Sequence, residues 1–185
     1  MKHMKNLTRY GLLLLVISSV LYACQSKTDP ASNSKELAPY EVSPNEEANL
    51  KIVNEFSDAL MTNDSEKAKS LVADGFMSYG PSRKDSLNIE GVINYWDQRS
   101  KNRSNVDAGL IVATSLRLNE GDLAGEWVHL WGNYTATVND SGYAIDVPWH
   151  SAYLIKDNKI IYTRTWYDQL SPALDIGAVA PVISE

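Results

Sequence analysis

An α+β domain, with helices covering one face of an antiparallel sheet, is the fold class this sequence predicts. Three observations carry that prediction. Apolar residues recur at helical spacing between residues 43 and 103, long stretches rich in Val, Ile, Thr, Trp and Tyr follow, and clusters of turn residues separate those stretches. Helices first and strands afterwards is the order expected when a meander curls against a preceding helical layer.

The first helix is announced by Ser43-Pro44-Asn45-Glu46, which offers a capping serine, a proline at the first helical position and a glutamate three residues after the cap. Leu50, Val53, Phe56, Ala59 and Leu60 then form one apolar stripe up to Thr62. Asn63-Asp64-Ser65-Glu66 restarts a shorter helix through Leu71 and Val72. After the Ser82 to Ser86 loop, Ile89, Val92, Ile93 and Trp96 fall at i, i+3, i+4 and i+7, a third helix. Past Arg103 the strand candidates are Leu110 to Leu118, Glu126 to Val138, Tyr143 to Ile155 and Lys159 to Asp168. Their boundaries are Asn119-Glu120-Gly121-Asp122, Asn139-Asp140-Ser141-Gly142 and Asp157-Asn158.

The N-terminal residues address the chain rather than build the domain. Lys2, Lys5 and Arg9 precede an uncharged run from Gly11 to Ala23, and Leu21-Tyr22-Ala23 leads directly into Cys24, the single cysteine. A basic start, a short apolar run and a small residue before a lone thiol resemble a bacterial lipoprotein signal. On this reading residues 1–23 are removed, Cys24 is lipidated, 24–42 form a flexible tether, 43–178 form the domain and 179–185 are a tail. The expected location is the cell envelope. Gln25, where an aspartate would favour inner-membrane retention, points to the outer membrane.

Removing the three basic residues of the signal leaves 14 Lys and Arg against 23 Asp and Glu, a net charge of −9. Such a surface repels phosphate backbones, so nucleic acid is not an expected partner, and membrane contact is expected through acyl groups on Cys24. With Cys24 lipidated, no disulfide or catalytic thiol remains. No G-x-S-x-G, G-x-G-x-x-G or P-loop spacing occurs, and no metal or other cofactor is expected.

Strand register follows from the two hairpin turns, because an antiparallel pair keeps a constant index sum. Pairing Val138 with Tyr143 sets Trp131 opposite His150 and Leu130 opposite Ser151. A two-residue turn at Asp157-Asn158 sets Trp149 opposite Trp166 and Ser151 opposite Arg164. One face then carries Leu130, Tyr134, Val147, Trp149, Tyr153, Tyr162, Arg164, Trp166 and Asp168. The other carries Trp127, His129, Trp131, Pro148, His150, Thr163, Thr165 and Tyr167. The first, more apolar face is the expected concave one, with Trp149, Tyr153, Arg164, Trp166 and Tyr134 lining a ligand pocket. The second is the expected homodimer face, centred on Trp127, His129, Trp131 and His150.

Glu126-Trp127, Gly132, Tyr134, Trp149-His150-Ser151-Ala152-Tyr153, the Asp157-Asn158-Lys159-Ile160 hairpin and Tyr167-Asp168 resemble the SnoaL-like proteins of the nuclear transport factor 2-like superfamily. The resemblance spans roughly Asn45 to Gly177, and Asn158 stands where the family commonly has glycine. It implies a cone-shaped domain in which three N-terminal helices pack on a curved antiparallel sheet and enclose a pocket, often dimeric through the outer sheet face. The superfamily includes ketosteroid isomerase, polyketide cyclases and dehydratases beside members with no known reaction, so the fold alone does not decide the activity.

Asp168 is the expected acid/base candidate. A carboxylate at the end of an aromatic strand, facing an enclosed pocket, has its charged form disfavoured and its pKa raised; the competing reading has Asp168 capping the Ser171 to Leu174 turn. Arg164 either binds a polar ligand head or packs its stem on Trp149 and Trp166. His129 and His150 lack the third convergent ligand that a metal site needs. Three functions therefore stand at this level. The favoured one is a lipid-anchored domain that holds a small apolar or aromatic molecule without changing it. The second is an isomerase, cyclase or dehydratase using Asp168, and the third is a structural dimerisation or docking domain.

Overall fold

The first helix, α1 (Glu46–Met61), buries Asn49, Val53, Phe56, Ala59 and Leu60, the stripe expected from spacing plus one polar residue. The coordinates are a computed structural model that describes residues 39–82 and 84–180; the signal segment, Cys24 and most of the tether lie outside the described residues.

The start of α1 differs from a capping box. Asn45 takes the cap position without a side-chain bond to the helix. The Ser43 hydroxyl instead accepts from the Asn45 N–H at 3.0 Å and donates to Glu126 at 2.5 Å. Glu46 does not reach back to Ser43. Its Oε1 accepts from the Ser115 N–H, while the Ser43 N–H goes to the Ser115 carbonyl. Tertiary partners have taken both groups from the local motif.

Asn63 turns the chain with φ of 58°, and Asp64 caps α2 (Ser65–Leu71) by accepting from the Lys67 N–H. A strand, β2 (Val72–Tyr79), begins at once where the sequence pattern offered only the end of a helix. Gly75, at φ of +75°, and a register irregularity between Val72 and Met77 break the alternation that would have announced it. The two-residue β3 (Ser86–Leu87) pairs with β2. Helix α3 (Ile89–Asn102) is capped by Asn88, whose side chain accepts from the Gly91 N–H at 2.9 Å.

Beyond α3 come β4 (Arg103–Asp107), β5 (Leu110–Leu118), β6 (Gly125–Val138), β7 (Ala144–Lys156), β8 (Lys159–Tyr167) and the short α4 (Leu170–Asp175). The end of the expected tether is also strand: β1 (Tyr40–Val42) pairs with β5. Among the described residues the strands form one sheet in the order β1-β5-β6-β7-β8-β2-β3, with β4 also on β6. The β2–β8 pair is parallel, so the expected antiparallel meander is one part of a mixed sheet.

Packing follows the expected two layers. Val53, Phe56, Ala59, Leu60, Ala68 and Val92 from the helices meet Phe76, Val128, Leu130, Tyr153, Ile155 and Ile160 from the sheet. Each Val, Leu, Ile or Phe side chain withdrawn from water in this way contributes about 1.5–3 kcal/mol of transfer free energy.

Register in the β6–β7 hairpin agrees with the index sum: Trp131 faces His150 and Leu130 faces Ser151. The β7–β8 hairpin departs from it. Asp157 and Asn158, with φ of 51° and 58°, make the two-residue turn, and Ile155 pairs with Ile160; then Leu154 pairs with Tyr162, leaving Ile161 over. From there the register runs one residue off, so Trp149 faces Tyr167, Ser151 faces Thr165 and His150 faces Trp166. The bulge turns every later β8 side chain to the opposite face from the one expected.

Candidate functional site

On the helix-covered face the bulge replaces Tyr162, Arg164 and Trp166 with Thr163, Thr165 and Tyr167. The two threonines join hydroxyl pairs, Ser151 with Thr165 at 2.7 Å and Thr163 with Ser78 at 2.9 Å. Tyr153 is buried at 8% exposure among core residues, and burial raises its pKa. Trp149 is half-buried against the core, and its indole N–H donates to the Ala108 carbonyl at 2.8 Å. Tyr134, also on this face, accepts from Arg103 at 3.0 Å. Of the five expected pocket residues, Trp149, Tyr153 and Tyr134 share the inner face, and Arg164 and Trp166 lie on the outer one.

Asp168 is not the desolvated carboxylate expected. Its Oδ1 accepts from the Leu170 N–H at 2.8 Å and the Ser171 N–H at 3.2 Å, the competing turn-cap reading. Hydrogen bonds from the Ser171 side chain, then from the Ser171 and Leu170 amides, hold its pKa below the ordinary carboxylate value. That shift is opposite in sign to the one a neutral-pH acid or base requires.

The outer face gathers the expected dimer residues into one stacked array. Trp127, His129, Trp131 and His150 are neighbours, with His129 Nδ1 and His150 Nε2 3.2 Å apart and Trp131 stacked on His150 at a centroid distance of 4.7 Å. Trp166 extends the stack from His150, and Arg164 lies over both Trp166 and the Tyr79 ring while donating to the Tyr162 hydroxyl. Trp131 and Trp166 remain 40% and 42% exposed, an unusual state for two tryptophans in one patch. Burial, and for His129 also the neighbouring His150 charge, pushes both imidazoles below their ordinary pKa.

A cavity of about 500 Å³ opens along α3 and into the start of β4, lined by Leu87, Gly91, Asn94, Tyr95, Gln98, Arg99, Asn102 and Arg103. These positions recur every three to four residues and so make one helix face. Burial first, and then the hydrogen bond with Tyr167 at 3.4 Å, raises the Tyr95 pKa. Arg99 stacks over the Tyr95 ring with Cζ 4.0 Å from its centroid, and Arg103 is held by Tyr134. Tyr95, Tyr167, Arg103 and Tyr134 thus tie this groove to the inner face of the sheet.

Sequence patterning missed the groove because its residues are the polar side of an amphipathic helix, which reads as solvated surface. Its strongest available signal was Arg99 and Arg103 four residues apart beside the tyrosine at position 95.

No protein-family model and no curated protein matches the sequence. Solved structures match its shape. A Jannaschia sp. CCS1 protein assigned to the SnoaL-like polyketide cyclases superposes with a TM-score of 0.60 at 21% identity, covering 76% of this chain and 99% of that one. A nuclear transport factor 2-like protein of Burkholderia xenovorans LB400 gives 0.56 at 17% identity, over 72% and 97% of the two chains. A Catenulispora acidiphila protein with a ketosteroid isomerase-like fold, in complex with trimethylamine, gives 0.54 at 15%, over 71% and 98%. At these identities the likeness establishes the fold: nuclear transport factor 2-like, three helices on a curved sheet.

Proposed function

We propose that this protein is a lipid-anchored domain of the bacterial cell envelope that binds a small molecule in the groove along α3 without transforming it. The observation that carries the binding reading is the groove's lining: Arg99, held over the Tyr95 ring, and Arg103, bonded to the Tyr134 hydroxyl, stand beside the amides of Asn94, Gln98 and Asn102 along one face of α3. The isomerase, cyclase or dehydratase alternative loses its support with Asp168, whose carboxylate is engaged as a turn cap.

The groove supports binding in other respects. The groove is open to solvent, Tyr95 joins it to Tyr167 on the inner face of the sheet, and its amides supply both donors and acceptors. The lining is more polar than the aromatic pocket anticipated from sequence, which moves the ligand away from the purely apolar class.

A homodimer through the outer face is part of the same proposal. Trp131 and Trp166 beside Trp127, His129 and His150 offer a stacked apolar patch whose burial a self-complementary partner would satisfy. The anchor rests on Cys24 alone: changing it to serine should shift the protein from the membrane fraction to the soluble one, and unchanged partitioning would reject lipidation.

Binding is tested on the full chain in neutral detergent by amide NMR while phenol, benzoate and D-glucuronate are titrated in turn. Shifts concentrated between Gly91 and Arg103, lost when Gln98→Trp fills the groove, with every probe recovered unchanged, are the expected result. Shifts confined to the core face, or none with any probe, would reject the groove as the site. Chemical conversion of a probe would put the enzyme reading ahead.

A further inference from the structure

We infer that the ligand of the α3 groove is a small organic anion, its carboxylate or phosphate oxygens met by Arg99 and Arg103 and its hydroxyls by Asn94, Gln98 and Asn102. The inference rests on the groove being the ligand site, and it adds the ligand's charge and polar character.

The first ground is how α3 distributes its charges. Its carboxylates are engaged away from the groove: Glu90 pairs with Lys69 at 2.9 Å and Asp97 pairs with Lys101 at 2.7 Å. Glu90 and Asp97 line a second, 270 Å³ cavity against α1 and α2, which shares only Asn94 with the groove. Arg99 and Arg103 face the 500 Å³ groove, and among the described residues no carboxylate oxygen lies within 4 Å of either guanidinium. A chain with 23 acidic residues against 17 basic ones has ample carboxylates to pair them. By contrast Arg117 is met by Glu126 at 2.5 Å and by Glu41 at 3.9 Å.

The second ground is preorganisation. The Arg99 guanidinium lies over Tyr95 with Cζ 4.0 Å from the ring centroid, and Arg103 both donates to the Tyr134 hydroxyl and lies 5.5 Å from that ring's centroid. Stacking holds a planar guanidinium while leaving N–H donors at its edge for an incoming oxyanion. The aromatic supports therefore fix two cations without neutralising them. Asn94, Gln98 and Asn102, one turn apart along the same groove, are exposed and offer the mixed donors and acceptors that hydroxyl groups use.

The test compares three probes that share one ring and differ in charge: D-glucose, D-glucuronate and D-glucose 6-phosphate. Each is titrated calorimetrically into the full chain in neutral detergent, at low and moderate salt. Both anions should bind at least tenfold more tightly than glucose, with the advantage shrinking as salt rises. The ratio between them separates a carboxylate-bearing from a phosphate-bearing ligand. Arg99→Gln and Arg103→Gln should each weaken the anions about tenfold and weaken glucose by less, so that the anion-to-glucose ratio falls, with circular dichroism confirming that both variants fold. Glucose binding as tightly as the anions, or anion affinity unaltered in both variants, would overturn the inference while leaving the groove as a site. Binding of phenol but of neither anion would do the same. Failure of every probe, phenol and benzoate included, would remove the groove reading as well.

Discussion

His150 and Trp166 stack on the outer face of the sheet, ring centroids 5.3 Å apart and planes 9° from parallel. They meet because β8 holds one residue, Ile161, with no partner on β7, so the strand beyond it presents its other side. The same extra residue puts Tyr167 where it reaches Tyr95, one of the residues lining the groove.

Trp131→Glu should convert a dimer into monomers. The ring is 40% exposed and stacked on His129 and His150, and a carboxylate there would have to be desolvated in a self-complementary contact. Light scattering in detergent should register a halved protein mass; a wild type already monomeric would refute the dimer.

Stability should decline as pH falls below about 6.5, the ordinary histidine value. Both His129 and His150 have folded-state pKa values below that, so between the two values the unfolded chain binds more protons than the folded one. Their contribution is fully present above the unfolded value and is lost on acidification toward the folded one. Denaturant midpoints at pH 7.5 and 5.5 should differ in that direction, and His150→Gln should reduce the difference.

Glu126→Gln should cost about 2 kcal/mol, the scale of charge-assisted hydrogen bonds lost from a buried acceptor. The side chain is 16% exposed and accepts from Ser43, Asn45, Asn49 and Arg117, joining the start of α1 to β5 and β6. Burial by itself would raise its pKa, but bonds from Ser43, Arg117 and Asn49 outweigh that and lower it. The stabilisation is therefore present above the ordinary carboxylate range and fades as pH falls through the folded value, so the variant should lose less stability in acid than the wild type does.

Gly132→Ala should destabilise by about 3 kcal/mol, the upper end for forced overpacking. A Cβ at this position would stand 2.7 Å from the Gly109 carbonyl, 2.8 Å from the Trp149 indole nitrogen and 2.9 Å from the Ala108 carbonyl. Two of these are backbone atoms that cannot swing aside. Chemical denaturation should register the loss, and the Trp149 fluorescence should shift if the Ala108 bond breaks.

What the sequence determined by itself was whatever local spacing controls. The apolar stripes of α1 and α3, the Asp157-Asn158 turn, the β6–β7 register and the Trp127, His129, Trp131, His150 face all follow from periods of 3.6 and 2 and from turn chemistry. The tertiary structure decided what depends on partners distant in the chain. Ile161 is as apolar as its neighbours, so nothing local marks it as the unpaired residue; the bulge is fixed by how β8 fits β7 on one side and the parallel, irregular β2 on the other. That one displacement moved Arg164 and Trp166 to the outer face and brought Tyr167 to Tyr95. Likewise Ser43 and Glu46 forgo their capping box because Ser115 and Glu126, some 70 to 80 positions away, supply partners that no local pattern encodes. Asp168 shows the same limit: its position at a strand end was legible, but its protonation depends on the amides of Leu170 and Ser171 pointing at it, which only the folded turn determines.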